Sequence, residues 1–162
     1  MSWRAENLCK EKHCFFGAEG GFSQGKYASL NTNLNSGDNQ SVIYKNFDVI
    51  AATFGCTRVD MVTLQQGISN VAVKVNKPSW MAIEADGVVT TNPDVLLGIK
   101  TADCAPVLLA DYQNGIVGAA HAGWRSACRG ILENVVDLMV ECGANLNNIA
   151  AAIGPCLQQK SF

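Results

Sequence analysis

The sequence predicts one α/β (α+β) domain, and three observations point there. The chain of 162 residues is long enough for a single domain with a core and short for two. Nearly half of it is apolar, few residues are aromatic and fifteen are glycine, a composition of compact rather than disordered or fibrous chains. Short apolar runs of strand length also alternate with two stretches whose apolar residues recur at helical spacing. The formal charge is −2 and no cluster of Lys or Arg stands out, which argues against nucleic acid or a membrane surface as partner.

Taken in order, His13-Cys14-Phe15-Phe16 is a short apolar segment before a glycine-rich turn (Gly17, Gly20, Gly21, Gly25) and a polar loop over 27–35. Without a Walker or dinucleotide fingerprint, that loop is read as surface rather than as a phosphate cradle. Gly37-Asp38-Asn39 is a turn leading into a helix over about 40–55. There Val42, Ile43, Phe47, Ile50 and Phe54 share a face, and Gly55 marks the end. Strands are predicted at 61–64, 71–75 and 88–90, with a break at Lys77-Pro78-Ser79. The unbroken apolar run 95–99 reads as a buried strand. Two further runs, 106–110 and 116–120, flank Asp111-Tyr112-Gln113-Asn114-Gly115, whose Asn-Gly pair predicts a hairpin centred near residue 113. A helix over about 126–142 carries an apolar stripe (Ile131, Val135, Leu138, Cys142) and stops at Gly143. A last strand, 149–153, precedes Gly154-Pro155-Cys156.

The chemistry concentrates in Thr101-Ala102-Asp103-Cys104 and His121-Ala122-Gly123-Trp124-Arg125. A hairpin centred near 113 sets Cys104 across from His121 to within about a residue. A thiol and an imidazole at one end of a sheet make either half a metal site or an activated nucleophile, with Asp103 and Arg125 beside them. Asp103 either serves that site or caps its own turn. Each residue also has a plain role open to it, the cysteine as a small hydrophobe and the histidine as a hydrogen-bonded strand-end residue. If the second helix begins directly after Arg125, its free amides and the Arg125 guanidinium face the pocket and suit a carboxylate or phosphate. Seven cysteines, an odd number with no C-x-x-C pair, read as free thiols in a reducing cytoplasm. Neither a signal-like start nor a run of about 20 apolar residues is evident.

Together these segments resemble the YfiH family, also described as the multicopper polyphenol oxidase or laccase-domain family, over about residues 13–156. The resemblance rests on 13–16 with Gly20-Gly21-Phe22-Ser23, on 27–31 with Gly37-Asp38, and on Ala85-Asp86-Gly87. It is completed by the two segments above and by Ile153-Gly154-Pro155-Cys156. It implies one mixed-sheet domain with flanking helices and a zinc site, copper being the metal of the members described as phenol oxidases. By position, Cys104 and His121 are two of three zinc ligands, and Arg125, Asn31 and Ser23 are candidate substrate-binding residues. The implied activity is purine nucleoside phosphorylase, with adenosine deaminase and methylthioadenosine phosphorylase activities, on a purine nucleoside and phosphate.

The chain departs from that pattern in three places. Ile68 stands where the family has its first zinc histidine, and Ala18 where it usually has an arginine. Family chains also run on past Cys156, so the domain is expected to be incomplete and 157–162 to be an unrelated tail. Two other functions stay open. One is a Cys-His hydrolase, such as a peptidoglycan-precursor-editing amidase, with Cys104 as nucleophile, His121 as base and Asp103 as orienting acid. The other is an inactive, truncated paralogue.

Overall fold

Ten strands and three helices occupy the described part of the computed structural model, residues 1–161 apart from the side chains of 80–82. In chain order they are β1 (Ser2–Trp3), β2 (Phe15–Phe16), α1 (Gln40–Thr53), β3 (Met61–Gln65), β4 (Ala72–Lys74) and β5 (Ser79–Glu84). There follow β6 (Gly87–Thr90), β7 (Leu96–Gly98), β8 (Ala105–Asp111), β9 (Ile116–Ala122), α2 (Trp124–Cys128), α3 (Ile131–Glu141) and β10 (Ala150–Ile153).

The larger sheet is mixed, with strand order β10-β8-β9-β6-β4 and only the β4–β6 pair parallel. A smaller parallel sheet runs β5-β3-β7, and β1 pairs with β2 separately. The two sheets and two helices stack in layers. Ile131, Val135 and Met139 of α3 pack on Val107, Leu109 and Ala120 of one face of the larger sheet. The opposite face offers Val88 and Ala119 to Val62 and Leu64 of β3. Met61, also on β3, packs on Ile43, Phe47 and Ala51 of α1. Alternation along β3 therefore sends neighbouring side chains into two different cores.

The β8–β9 hairpin forms as predicted, with a register that differs in a useful way. Ala105 pairs with Ala122 and Pro106 with His121, so the hairpin is centred between residues 113 and 114. Continuing that register sets Cys104 opposite Gly123, two residues from His121 rather than within one. An offset of two keeps both side chains on the same face of the sheet. The turn is tied by Asp111, whose carboxylate accepts from the Gln113 and Asn114 amides, the Asn114 side chain and the Asn145 amide.

Two further expectations change. The single helix over 126–142 is divided: α2 ends at Cys128, and Gly130 at φ 86° interrupts the chain before α3. That left-handed conformation suits glycine and cannot continue a right-handed helix. The amphipathic helix thus starts at Ile131, and its free amides do not follow directly on Arg125. The segment after Pro78 is β5, an edge strand paired with β3, where a preceding proline is tolerated.

Candidate active site

Asp86 is the residue around which the site is built. It immediately precedes β6 and is fully buried. Its Oδ1 lies 2.7 Å from Nδ1 of His121, near the end of the neighbouring β9. Its backbone carbonyl also accepts from the His121 amide at 2.7 Å. The other carboxylate oxygen accepts from the Ser69 hydroxyl at 2.7 Å and from the Ser69 and Gly67 amides. Burial alone would raise its pKa. Hydrogen bonds from His121 and Ser69, with the charge of His121, outweigh it and hold the carboxyl below its ordinary value. An ionised carboxylate only accepts, so it keeps a proton on His121 Nδ1, and whenever the ring is neutral the lone pair is on Nε2.

Nε2 and the thiol both lie near Gly123. A Cβ built on Gly123 would lie 3.1 Å from the Cys104 sulfur and 3.9 Å from Nε2 of His121. The sulfur and Nε2 are therefore no farther apart than the sum of those distances. Both residues line a groove of about 1810 Å³ that also takes in Asn31, Lys100 and Asp103.

Of the remaining candidates, Asp103 and Asn31 line the groove, and Arg125 and Ser23 are not among its lining residues. Asp103 is exposed, and its backbone carbonyl accepts from Leu157; Asp86, not Asp103, orients His121. Arg125 is exposed on α2 with its guanidinium 4.5 Å from the Trp124 ring centre, and it is absent from the groove lining among the described residues. Ser23 and Asn31 belong to a second network. The buried Asn46 of α1 donates to the Ser23 hydroxyl and the Asn31 carbonyl, while the Asn31 side chain donates to Ser36 and Asp38. Hydrogen bonds from Ser23 first, and from Asn31, hold the Asp38 carboxyl below its usual value against its burial. Of the pair, Asn31 reaches the groove and Ser23 does not.

A model of the family described as multi-copper polyphenol oxidoreductase laccase matches residues 12–162. The chain belongs to this family. A purine nucleoside phosphorylase of Deinococcus radiodurans is 41% identical over 94% of this chain and 58% of its own length. A purine nucleoside phosphorylase of Haemophilus influenzae is 34% identical over 96% of this chain and 62% of its own. Among solved structures, Bacillus licheniformis YfiH superposes with a TM-score of 0.83 at 31% identity, covering 88% of this chain and 57% of that one. YlmD of Geobacillus stearothermophilus gives 0.80 at 32%, covering 86% and 55%. The chain thus spans about three-fifths of the length of these relatives.

The family description names copper, and the resemblance implies zinc, so the donor set decides whether a metal fits. Cys104 and His121 supply one sulfur and one nitrogen, whereas a catalytic zinc takes about three protein ligands. Among the described residues no group of three His, Cys, Asp or Glu side chains is placed to hold an ion. Asp86 spends both oxygens on His121, Ser69 and Gly67. Ile68, between Gly67 and Ser69, has no donor atom in its side chain, and its φ of 60° is rare for a β-branched residue. The side chains present do not fit a three-ligand metal site. All seven cysteines are free thiols, and no helix among the described residues is long and apolar enough to cross a membrane.

Proposed function

We propose that this chain carries the centre of a purine nucleoside phosphorylase, splitting adenosine or inosine with inorganic phosphate. The observation that carries the reading is the His121–Asp86 pair, with Cys104 and His121 Nε2 both near Gly123 at the groove. The names of the 32–41% identical relatives supply the reaction class. His121 takes the proton of a phosphate hydroxyl at Nε2 while a phosphate oxygen bonds to C1′ of the ribose. The electron pair of the C1′–N9 bond leaves with the purine, which then recovers that proton. Asp86 keeps the imidazole in one tautomer and one orientation throughout, as orienting carboxylates do in other histidine-based sites. Methylthioadenosine phosphorolysis and adenosine deamination belong to the same proposal as side activities.

The test is product analysis after incubation with adenosine, inosine or methylthioadenosine, with and without phosphate. Free purine base together with the sugar 1-phosphate, formed only when phosphate is present, is expected. No base release, or release that ignores phosphate, contradicts the reading.

The convergence of the Cys104 sulfur and His121 Nε2 over Gly123 favours one second reading, a Cys-His hydrolase of amide bonds in cell-wall precursors. The sulfur would bond to the carbonyl carbon as its proton passes to His121 and on to the departing amine, after which water would release the acid. An acyl mass increment on Cys104 after incubation with a peptidoglycan precursor supports this reading, and phosphate-dependent base release without any increment opposes it.

A further inference from the structure

The pairing of β8 with β10 continues past the ends of the two strands. Ile153 and Val107 are the last pair of the ladder itself. Beyond them the Gly154 amide donates to the Pro106 carbonyl at 2.9 Å, and the Leu157 amide donates to the Asp103 carbonyl at 2.9 Å. Both bonds keep the register of the ladder, and that register sets Cys156 opposite Cys104. Because β8 lies between β9 and β10, residue 104 has Gly123 on one side and Cys156 on the other. Opposed residues of an antiparallel pair project from one face, with Cα atoms about 4.5–5.5 Å apart. A disulfide spans Cα atoms about 4.4–6.8 Å apart, so the backbone is already placed for one. Both residues are half-buried free thiols, and Cys104 and Pro155 line the groove, which admits a small oxidant.

We infer that Cys104 and Cys156 form a reversible disulfide that switches the site off. In the reduced chain the Cys104 sulfur lies on the Gly123 side, 3.1 Å from the place a Cβ of that glycine would take. Bonding to Cys156 turns it about Cα–Cβ toward β10, away from His121 Nε2. The oxidant is a hydroperoxide, hydrogen peroxide being the simplest. The Cys104 sulfur takes one peroxide oxygen as the O–O bond breaks, giving a sulfenic acid and water. The Cys156 sulfur then bonds to that sulfur and displaces its oxygen as a second water, the two thiol protons ending in the waters. Two thiols are thereby oxidised and one peroxide reduced, and a dithiol reverses the bond by thiol exchange. The bond follows from the register alone; its effect on base release rests on the phosphorolysis reading.

In the experiment, the reduced chain and Cys156→Ser are treated with hydrogen peroxide, blocked with iodoacetamide and mapped by peptide mass without reduction. Phosphate-dependent base release from inosine is followed before peroxide, after it, and after dithiothreitol. Wild type should yield joined peptides carrying residues 104 and 156, two hydrogens lighter than their sum and separated by dithiothreitol. Its base release should fall in step with the joined fraction, by about 100-fold in the fully joined chain, since a displacement of about 1 Å costs that much. Dithiothreitol should restore it. Cys156→Ser should keep the rate of the reduced wild type and give no joined peptides. Cys104 and Cys156 recovered unjoined from peroxide-treated wild type overturn the inference, as does undiminished base release in the joined chain. Should Cys156→Ser fold poorly, Cys156→Ala takes its place, and the wild-type map decides the bond by itself. A reduced chain that releases no base sinks the phosphorylase reading and leaves a mapped bond standing. Base release with no bond does the reverse.

Discussion

Asp86 binds His121 with one oxygen and the 67–69 loop with the other, so a single buried carboxylate ties the start of β6 and a loop to the imidazole. Asp86→Asn retains the shape but presents an amide that donates as well as accepts, which lets the ring take the wrong tautomer. Phosphorolysis should fall by at least about 100-fold, since a comparable change at other histidine centres costs about 10⁴-fold. Circular dichroism should show the fold intact. Gly123 makes a second, independent test. Its φ of −64° accepts an alanine, yet the added methyl would press on the Cys104 sulfur. Gly123→Ala should lower the rate by about tenfold or more through displacement of the thiol or the ring, with stability changed by less than about 1 kcal/mol. Position 68 tests the metal argument. Chain purified from zinc-rich medium should carry well under one zinc per molecule by elemental analysis. Ile68→His adds a donor where the left-handed backbone suits histidine better than isoleucine, and should raise that ratio toward one.

At the scale of elements, what was legible in the sequence depended on how local the cause was. Asn114-Gly115 and the flanking apolar runs specify the β8–β9 hairpin, and Gly115 does adopt a positive φ. The same holds for α1, whose cap Asn39 accepts from the Ser41 amide. Asp86 escaped because its partner is 35 residues away, and the segment Ala85-Asp86-Gly87 reads as an ordinary turn before a strand. The α2–α3 break escaped because Gly130 lies inside an otherwise continuous helical stripe, where one glycine costs only about 1 kcal/mol and does not by itself signal a stop. With that break, the helix that starts beside Arg125 is the five-residue α2, and the amphipathic helix starts only at Ile131. The hairpin also carries a pH prediction. Hydrogen bonds from Asn114 first, then from backbone amides, hold the buried Asp111 carboxyl below its ordinary 3.8. A carboxylate with a lowered folded-state pKa stabilises the fold above its unfolded value, and that stability is lost as pH falls through the folded value. Melting temperature should therefore drop on acidification below about pH 4. The drop should be shallower in Asp111→Asn than in wild type.

At the scale of the whole molecule, the layering of α3, larger sheet, smaller sheet and α1 explains why the groove exists. Val88 and Ala119 join the sheets through one core, while Leu108 and Val117 of the same larger sheet remain only half-buried along the groove. Close approach is built in where α3 meets the sheet: a Cβ on Gly87 would fall 2.4 Å from Val135. That packing holds β6, and with it the adjoining Asp86, against the strand that carries His121. The fold class was readable from composition and periodicity. The division into two sheets was not, because it depends on which face of β3 meets which partner. The closeness of Cys104 and His121 to one end of the hairpin was readable, whereas Asp86 as the hydrogen-bond partner of His121 was not.

The most direct measurement is the phosphate-dependent release of purine base from inosine by Cys104→Ala, His121→Ala and the double variant, beside wild type. Atoms that work as one unit give single losses of similar size and a double loss no larger than either. That is the result expected here. Base release that survives both changes, or losses that simply multiply, would contradict a joint centre at the end of the hairpin.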